Sequence, residues 1–375
     1  MSKNFVTVIG ERNSGKTMYL LGMYEALSGS GLNGFTLYLD DDEKDLYMRE
    51  LLERLSEEGE KPQTTNQSES YDFHVAYGLR SLLNFTWQDY PGDWIFSQAE
   101  YNSHSDMKGI VENSSCILFI VDGQALCKVV QKTFNGMKVS GWGGENEEDD
   151  WCLDSEESLI IKAIKKAKDK LAKPFIPLRT LCNEKGEVPC VGVVFTKSDA
   201  IVDFLCKNDK GRIKYSEEKC KEIYFKFVSK VFISIAEGSL LLDRFVFPMS
   251  VSIGREIDGG FCMMPDCVEQ PVTFAVLNIL VAAATKIKND IRCNRKNLID
   301  TDGMFKSWWY DNERKEWEKN ISSLQNELNK CIRNAMSAVT TVFPSCAYGY
   351  TKSDKRGVET IPIGEYFKRK FEEIR

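Results

Sequence analysis

The chain has 375 residues, a formal net charge of −7 and an ordinary soluble mix of 42% hydrophobic and 28% charged residues. That acidic balance argues against a dedicated nucleic-acid binder, which would carry a basic surplus. The twelve cysteines include no CxxC pair, which excludes a zinc signature and a disulfide framework and reads as free thiols in a reducing cytoplasm.

The N-terminus, MSKNFVTVIG, does not read as a signal peptide, because its apolar run is short and leads straight into a glycine-bounded loop. Phe5 to Ile9 reads as a β-strand. Lys16 to Leu27 has helical spacing, with Gly29 and Gly31 as stops. Phe35 to Leu39 suits an extra strand, Asp42 to Glu58 an acidic helix and Gly59 to Ser70 a polar loop. Tyr71 to Ala76 and Leu82 to Gln88 read as a strand pair. Ile117 to Val121 is a continuous apolar run, as expected of a central parallel strand. Gly123 to Glu157 holds the stretch GWGGENEEDDW and reads as a surface insertion. Ser158 to Ala172 is expected to be helical, Val191 to Phe195 a buried strand, Tyr215 to Ala236 a helix and Arg244 to Met249 a strand. Val272 to Lys288 reads as a closing helix. Its apolar stretch is too short to span a bilayer, so no transmembrane segment is expected.

Beyond about residue 290 the character changes. Trp308, Trp309 and Trp317 precede a stripe of Ile321, Leu324, Leu328, Cys331, Ile332, Ala335 and Met336 at helical spacing. The expected organisation is a domain over 1–290, with insertions near 30–60 and 123–157, and a C-terminal helical extension over 291–375. The alternation of strands and helices gives an α/β fold with a mostly parallel sheet.

The residues Gly10-Glu11-Arg12-Asn13-Ser14-Gly15-Lys16-Thr17 fit G-x-x-x-x-G-K-[ST] at every fixed position, between a strand and a helix. Backbone N–H groups of such a loop wrap phosphate oxygens, Lys16 reaches the β- and γ-phosphates and the Thr17 hydroxyl binds Mg²⁺. A helix N-terminus behind the loop favours the anion further.

Two further segments choose the base and the class. Asp89-Tyr90-Pro91-Gly92 ends a strand as D-x-x-G. There an aspartate can hold magnesium through water and the glycine N–H can meet the γ-phosphate; the bland alternative is a solvent turn. Thr196-Lys197-Ser198-Asp199 follows the apolar run VGVVF and fits [NT]-K-x-D. The Asp199 carboxylate can accept both N1–H and N2–H₂ of guanine, a donor pair that adenine lacks. The bland alternative is a helix cap. The same four letters recur at Thr351 to Asp354, after no apolar strand, and that copy is rejected.

The order of the three motifs, each at the end of an apolar strand, resembles P-loop GTPases of the TRAFAC class, which include Ras-like and Era-like proteins. The resemblance covers about residues 4–288 and implies a six-stranded sheet with helices on both faces. It places Ser250-Val251-Ser252 at the family's fifth motif, whose backbone reads the guanine oxygen, and has Lys197 lie over the base and tie back to the phosphate loop. It implies Thr65, with Thr64 beside it, as a second magnesium ligand. Enlarged spacings and an acidic residue after D-x-x-G are similar to the bacterial double-GTPase-like proteins of conflict-associated gene sets.

Where Ras-like proteins place a water-orienting glutamine, this chain has Asp93. A carboxylate facing a negative γ-phosphate implies slow hydrolysis. Gly92, Asp93, Thr65 and Lys16 are the catalytic candidates; Thr17, Asp89 and Thr65 are the metal ligands. Arg12 either stabilises transferred charge or points to solvent, as loop arginines usually do. Asn13 matches the G-x-x-N-x-G-K pattern of Era-like proteins, which implies that K⁺ supplies positive charge. The resulting expectation is a switch that binds GTP or GDP and acts on a protein effector or regulator, with a homodimer left open. A non-hydrolysing GTP-binding module and a P-loop ATPase or nucleotide kinase remain as alternatives. His74 reads as packed and His104 as a loop residue.

Overall fold

The computed structural model describes residues 4–29, 31–32, 34–62, 67–78, 80–91, 113–139, 155–176, 178, 190–207, 212–236, 246–257, 260–302, 310–343, 348–352 and 358–375. Thr64, Thr65, Gly92, Asp93, His104, the acidic run 145–150, Trp308 and Trp309 lie outside the described residues.

In chain order, β1 (Phe5–Gly10) leads into α1 (Lys16–Ser28), then β2 (Phe35–Leu39) and α2 (Asp42–Glu53), which continues as a π-helical turn over Arg54–Glu58. The strands β3 (Glu69–Tyr77), β4 (Arg80–Asp89) and β5 (Ser114–Asp122) follow. Next come α3 (Gly123–Val139), α4 (Ser155–Lys166), α5 (Lys168–Ala172), β6 (Cys190–Thr196), α6 (Ser198–Cys206), α7 (Glu217–Ala236) and β7 (Val246–Ser250). A hairpin of β8 (Ser252–Ile257) and β9 (Gly260–Asp266) precedes α8 (Glu269–Asp300) and α9 (Asp311–Val342). The strands β10 (Tyr348–Lys352) and β11 (Val358–Pro362) and helix α10 (Ile363–Ile374) end the chain.

Nine strands form one mixed sheet in the order β11-β10-β7-β6-β5-β1-β4-β3-β2. The central pairs β4/β1, β1/β5, β5/β6 and β6/β7 are parallel. The outer pairs β2/β3, β3/β4, β7/β10 and β10/β11 are antiparallel. The six strands that the resemblance implies are thus present, with β2 added at one edge and β10 and β11 at the other.

Side chains on β5 show why a continuous apolar run is needed. Cys116, Leu118 and Ile120 enter the core on one face with α1, α8, α9 and α10, while Ile117, Phe119 and Val121 enter the core on the other with α3, α4 and α7. A strand covered on both faces has no polar side, so period-2 alternation of polarity disappears. Burying each of these large side chains contributes roughly 1.5–3 kcal/mol.

Three expectations are corrected. Residues 123–139 are not part of a surface insertion: they form α3, whose Leu126, Cys127, Val130, Phe134 and Met137 are buried. The glycine-rich and acidic stretch that follows masks this helix in a reading by composition. The closing helix does not stop at 288, and the boundary expected near 290 falls inside the 32-residue α8. The C-terminal part is not purely helical: β10 and β11 extend the central sheet, and Phe367 and Phe371 of α10 lie in the same core as Val6 and Val8. The stripe on α9 does pack inward, with Cys331 Sγ 3.7 Å from the Leu280 carbonyl of α8. Among the described residues α8 alone has the length and composition to cross a bilayer, and 67% of its apolar window is buried inside the protein.

Candidate nucleotide site

Parallel strands bring their C-terminal ends to one edge of the sheet, where α/β folds bind ligands. Gly10 ends β1, Asp89 ends β4, Asp122 ends β5, Thr196 ends β6 and Ser250 ends β7. Residues far apart in sequence therefore meet along a single line.

The loop after β1 holds its shape through backbone demands. A Cβ on Gly10 would stand 2.4 Å from the Ile120 carbonyl oxygen, and Gly15 has a φ of +96°. Asn13, with a φ of 63°, is one of the few side chains that tolerate this left-handed region. Arg12 and Asn13 are both exposed, and Ser14 is buried. Lys16 is also buried, and its Nζ donates to the carbonyls of Gly10 at 3.0 Å and Glu11 at 3.2 Å, so the ammonium lies inside the loop. Thr17 is half-buried at the start of α1. No side chain caps this helix, which leaves its first N–H groups to point into the loop.

Asp89 is paired in register with Val8 of β1 and is 2% exposed. Its Oδ1 has no hydrogen-bond partner among the described residues, and neither has the buried Ser14 Oγ. Burial pushes the Asp89 carboxyl up to about 7, the Lys16 ammonium pulls it down and Glu69 pushes it up. A buried carboxylate oxygen with no donor is costly unless a cation meets it. The Asp89 carboxylate and the Thr17 hydroxyl are oxygen donors of the kind that suit a hard cation such as Mg²⁺.

At the other end of the site, Thr196 is 2% exposed, and its Oγ1 donates to the Ser14 carbonyl at 2.6 Å, with the Val121 carbonyl at 3.2 Å. The segment after β6 is thereby tied to the phosphate loop through Thr196. The tie expected of Lys197 is not made. Lys197, with a left-handed φ of 57°, instead places its Nζ 2.5 Å from Asp122 Oδ2. Asp199 opens α6, and burial raises its carboxyl, opposed by the backbone N–H groups of Asp199 and Ala200.

The loop after β7 meets this segment closely. The Val251 N–H donates to the Phe195 carbonyl at 2.9 Å, the Val251 carbonyl accepts from Ser198 at 3.2 Å, and Ser250 Oγ donates to the Phe195 carbonyl at 3.1 Å. With its N–H committed to Phe195, Val251 has none for a base oxygen. Ser252, one residue beyond the pair expected to read the base, is the side chain that reaches Asp199, at 3.5 Å from its Oδ1.

The geometry therefore brings together Gly10, Arg12, Asn13, Ser14, Gly15, Lys16, Thr17, Asp89, Thr196, Lys197, Asp199, Ser250 and Val251 along the sheet edge. Sequence reading gave Asp122 no role and named Ser252 within the fifth motif without foreseeing its contact with Asp199. Asp122 had one visible signal: it ends an apolar run and precedes a glycine, as a strand-end residue does. No group of three or more His, Cys, Asp or Glu among the described residues makes a metal cluster of its own.

No curated protein matches the chain. Residues 4–146, which carry the phosphate loop, Asp89 and Asp122, match the model of the family described as Double-GTPase 2, and this similarity supports a P-loop GTPase of the double-GTPase type.

Proposed function

We propose that the chain binds GTP with Mg²⁺, hydrolyses it slowly and changes its affinity for a protein partner with the state of the nucleotide. The observation that carries the guanine part is the Thr196–Ser14 hydrogen bond, which joins the T-K-S-D segment that contains Asp199 to the phosphate loop. The family match ends at residue 146, so the choice of base rests on this geometry.

Each residue then has a physical task. The backbone N–H groups of Gly10 to Lys16 surround the β-phosphate, and the Lys16 ammonium turns from its own carbonyls to the β- and γ-oxygens. Thr17 and Asp89 would hold Mg²⁺, which would supply positive charge to offset that of the phosphates. Asp199 accepts from the two guanine N–H donors through charge-assisted bonds. Thr65, Gly92 and Asp93 are proposed for the second metal contact, the γ-phosphate contact and the water. A carboxylate at 93 orients water poorly against a negative phosphate, which is the reason for a slow rate. Asn13, exposed at the mouth of the loop, is proposed to admit K⁺ beside the phosphates; equal hydrolysis rates in potassium and sodium buffers would remove that part.

The deciding experiment is to denature the purified full chain, identify the released nucleotide, and then follow phosphate release from added GTP. Guanine nucleotide with Mg²⁺-dependent release supports the reading. Guanine nucleotide without release leaves a binding module that does not turn over. Retained ATP that is insensitive to Asp199 changes would replace the reading with an ATPase.

A further inference from the structure

We propose that Asp122 is a positioning residue for the base: by holding the Lys197 ammonium, it fixes the lysine stem as the wall on which guanine lies. The inference rests on the nucleotide reading above and adds to it a residue outside its three motifs.

Asp122 is held at both oxygens. Its Oδ1 accepts the Ala125 N–H at 2.9 Å, as an N-cap of α3 does, and its Oδ2 meets Lys197 Nζ at 2.5 Å. Asp122 ends β5 in register with Thr196, the last residue of the adjacent parallel strand β6, and Lys197 follows directly. The carboxylate therefore belongs to the rigid sheet edge and to a helix cap at once, and the lysine is the mobile partner. Their side chains are 22% and 39% exposed, so the pair lies at the rim of the site.

A free lysine carries about 2 kcal/mol of rotamer entropy on a flexible four-carbon stem. Such a stem gives a poor stacking surface, because ordering it opposes binding. Anchoring the ammonium before the ligand arrives removes most of that cost, and the methylenes then present an apolar face beside Asp199. The tie to the phosphate loop is made by Thr196 at the Ser14 carbonyl, and the Lys197 ammonium is left to Asp122. Glu11 also lies near Asp122, and burial followed by the charge of Asp122 pushes its carboxyl up. With a like charge on that side, the Asp122 carboxylate holds its cation more firmly.

The role predicts a loss common to purine rings that stack alike, with no change in choice between them. Fluorescent GDP titrations on the full chain would compare wild type, Asp122→Asn, Lys197→Met and the double variant, with unlabelled GTP and ITP as competitors. Asparagine keeps the Oδ1 bond to Ala125 and loses the charge; Asp122→Ser is a second uncharged cap, should the first lower the melting temperature. The expected result is roughly a tenfold loss of affinity for GDP, GTP and ITP together, the size of coupling between contacting residues. In the Lys197→Met background the same change at 122 should have no further effect. Wild-type affinity in Asp122→Asn, an equal loss in both backgrounds or an altered GTP:ITP ratio would each overturn the proposal. Wild type that takes no guanine nucleotide would instead defeat the functional reading, and the proposal with it.

Discussion

The two ends of the candidate site differ in how far the protein satisfies itself. At the base end, Thr196, Lys197, Ser250 and Ser252 all have named partners, and the loops after β6 and β7 are cross-linked through the Phe195 and Val251 carbonyls. At the phosphate end, Asp89 Oδ1 and Ser14 Oγ are buried without one. Buried polar groups are nearly always paired, so an exception calls for an explanation. On the proposed function, the base end is organised in advance, whereas ions and phosphate would complete the phosphate end.

The largest test of this contrast is at Lys16. Lys16→Ala should lower phosphate release by on the order of 10³-fold, since Lys16 is the one lysine or arginine buried among the described residues and its ammonium lies inside the loop. Release that persists within tenfold of wild type would show that the phosphate end works by another route.

Asp89 comes next. Its folded value of about 7 lies above the usual 3.8, so the folded state binds the proton more tightly. Stability from this group is greatest below the unfolded value and falls as pH rises from about 4 to 7. The difference amounts to about 4 kcal/mol at most. Asp89→Asn should therefore raise the melting temperature of nucleotide-free protein at pH 7.5, flatten its decline between pH 4 and 7 and abolish the Mg²⁺ dependence of nucleotide retention. A lower melting temperature in calorimetry would mean that Asp89 is already satisfied.

Asp199→Asn addresses the base end. Losing charge-assisted bonds to guanine should weaken GTP roughly a hundredfold and shift preference toward XTP in competition titrations. An unchanged GTP:XTP ratio would make T-K-S-D an ordinary helix start.

The smallest expected effect is that of Thr196→Val, which keeps the volume and removes the donor to Ser14. It should cost about 1–3 kcal/mol in denaturant unfolding, the penalty for a buried acceptor left without its donor. If GTP affinity stays the same while stability falls, the tie between the two ends serves the fold alone.

Much of this molecule was legible because local chemistry and function coincide. The phosphate loop needs glycine where a Cβ would strike the Ile120 carbonyl and a left-handed residue at 15, and only certain letters meet those demands. The apolar runs at 117–121 and 191–195 announced buried parallel strands, since both of their faces are covered. Helix α3 was hidden because composition over a long window was dominated by the acidic stretch after it. The strands β10 and β11 were hidden because both are short and lie at or next to the sheet edge; the burial pattern of β11 alternates only weakly.

The amino-acid order by itself determined the phosphate loop, the central strands and the candidate ligands Thr17, Asp89 and Asp199, because these depend on side-chain type at fixed spacing. Only the tertiary structure decided which group completes which. Lys197 pairs with Asp122 across 75 positions, Thr196 binds the Ser14 carbonyl across 182, and the last 32-residue helix packs its stripe on α8. Such pairings follow from strand order and register, which no local pattern encodes, and from the need of each buried polar atom for a partner within reach.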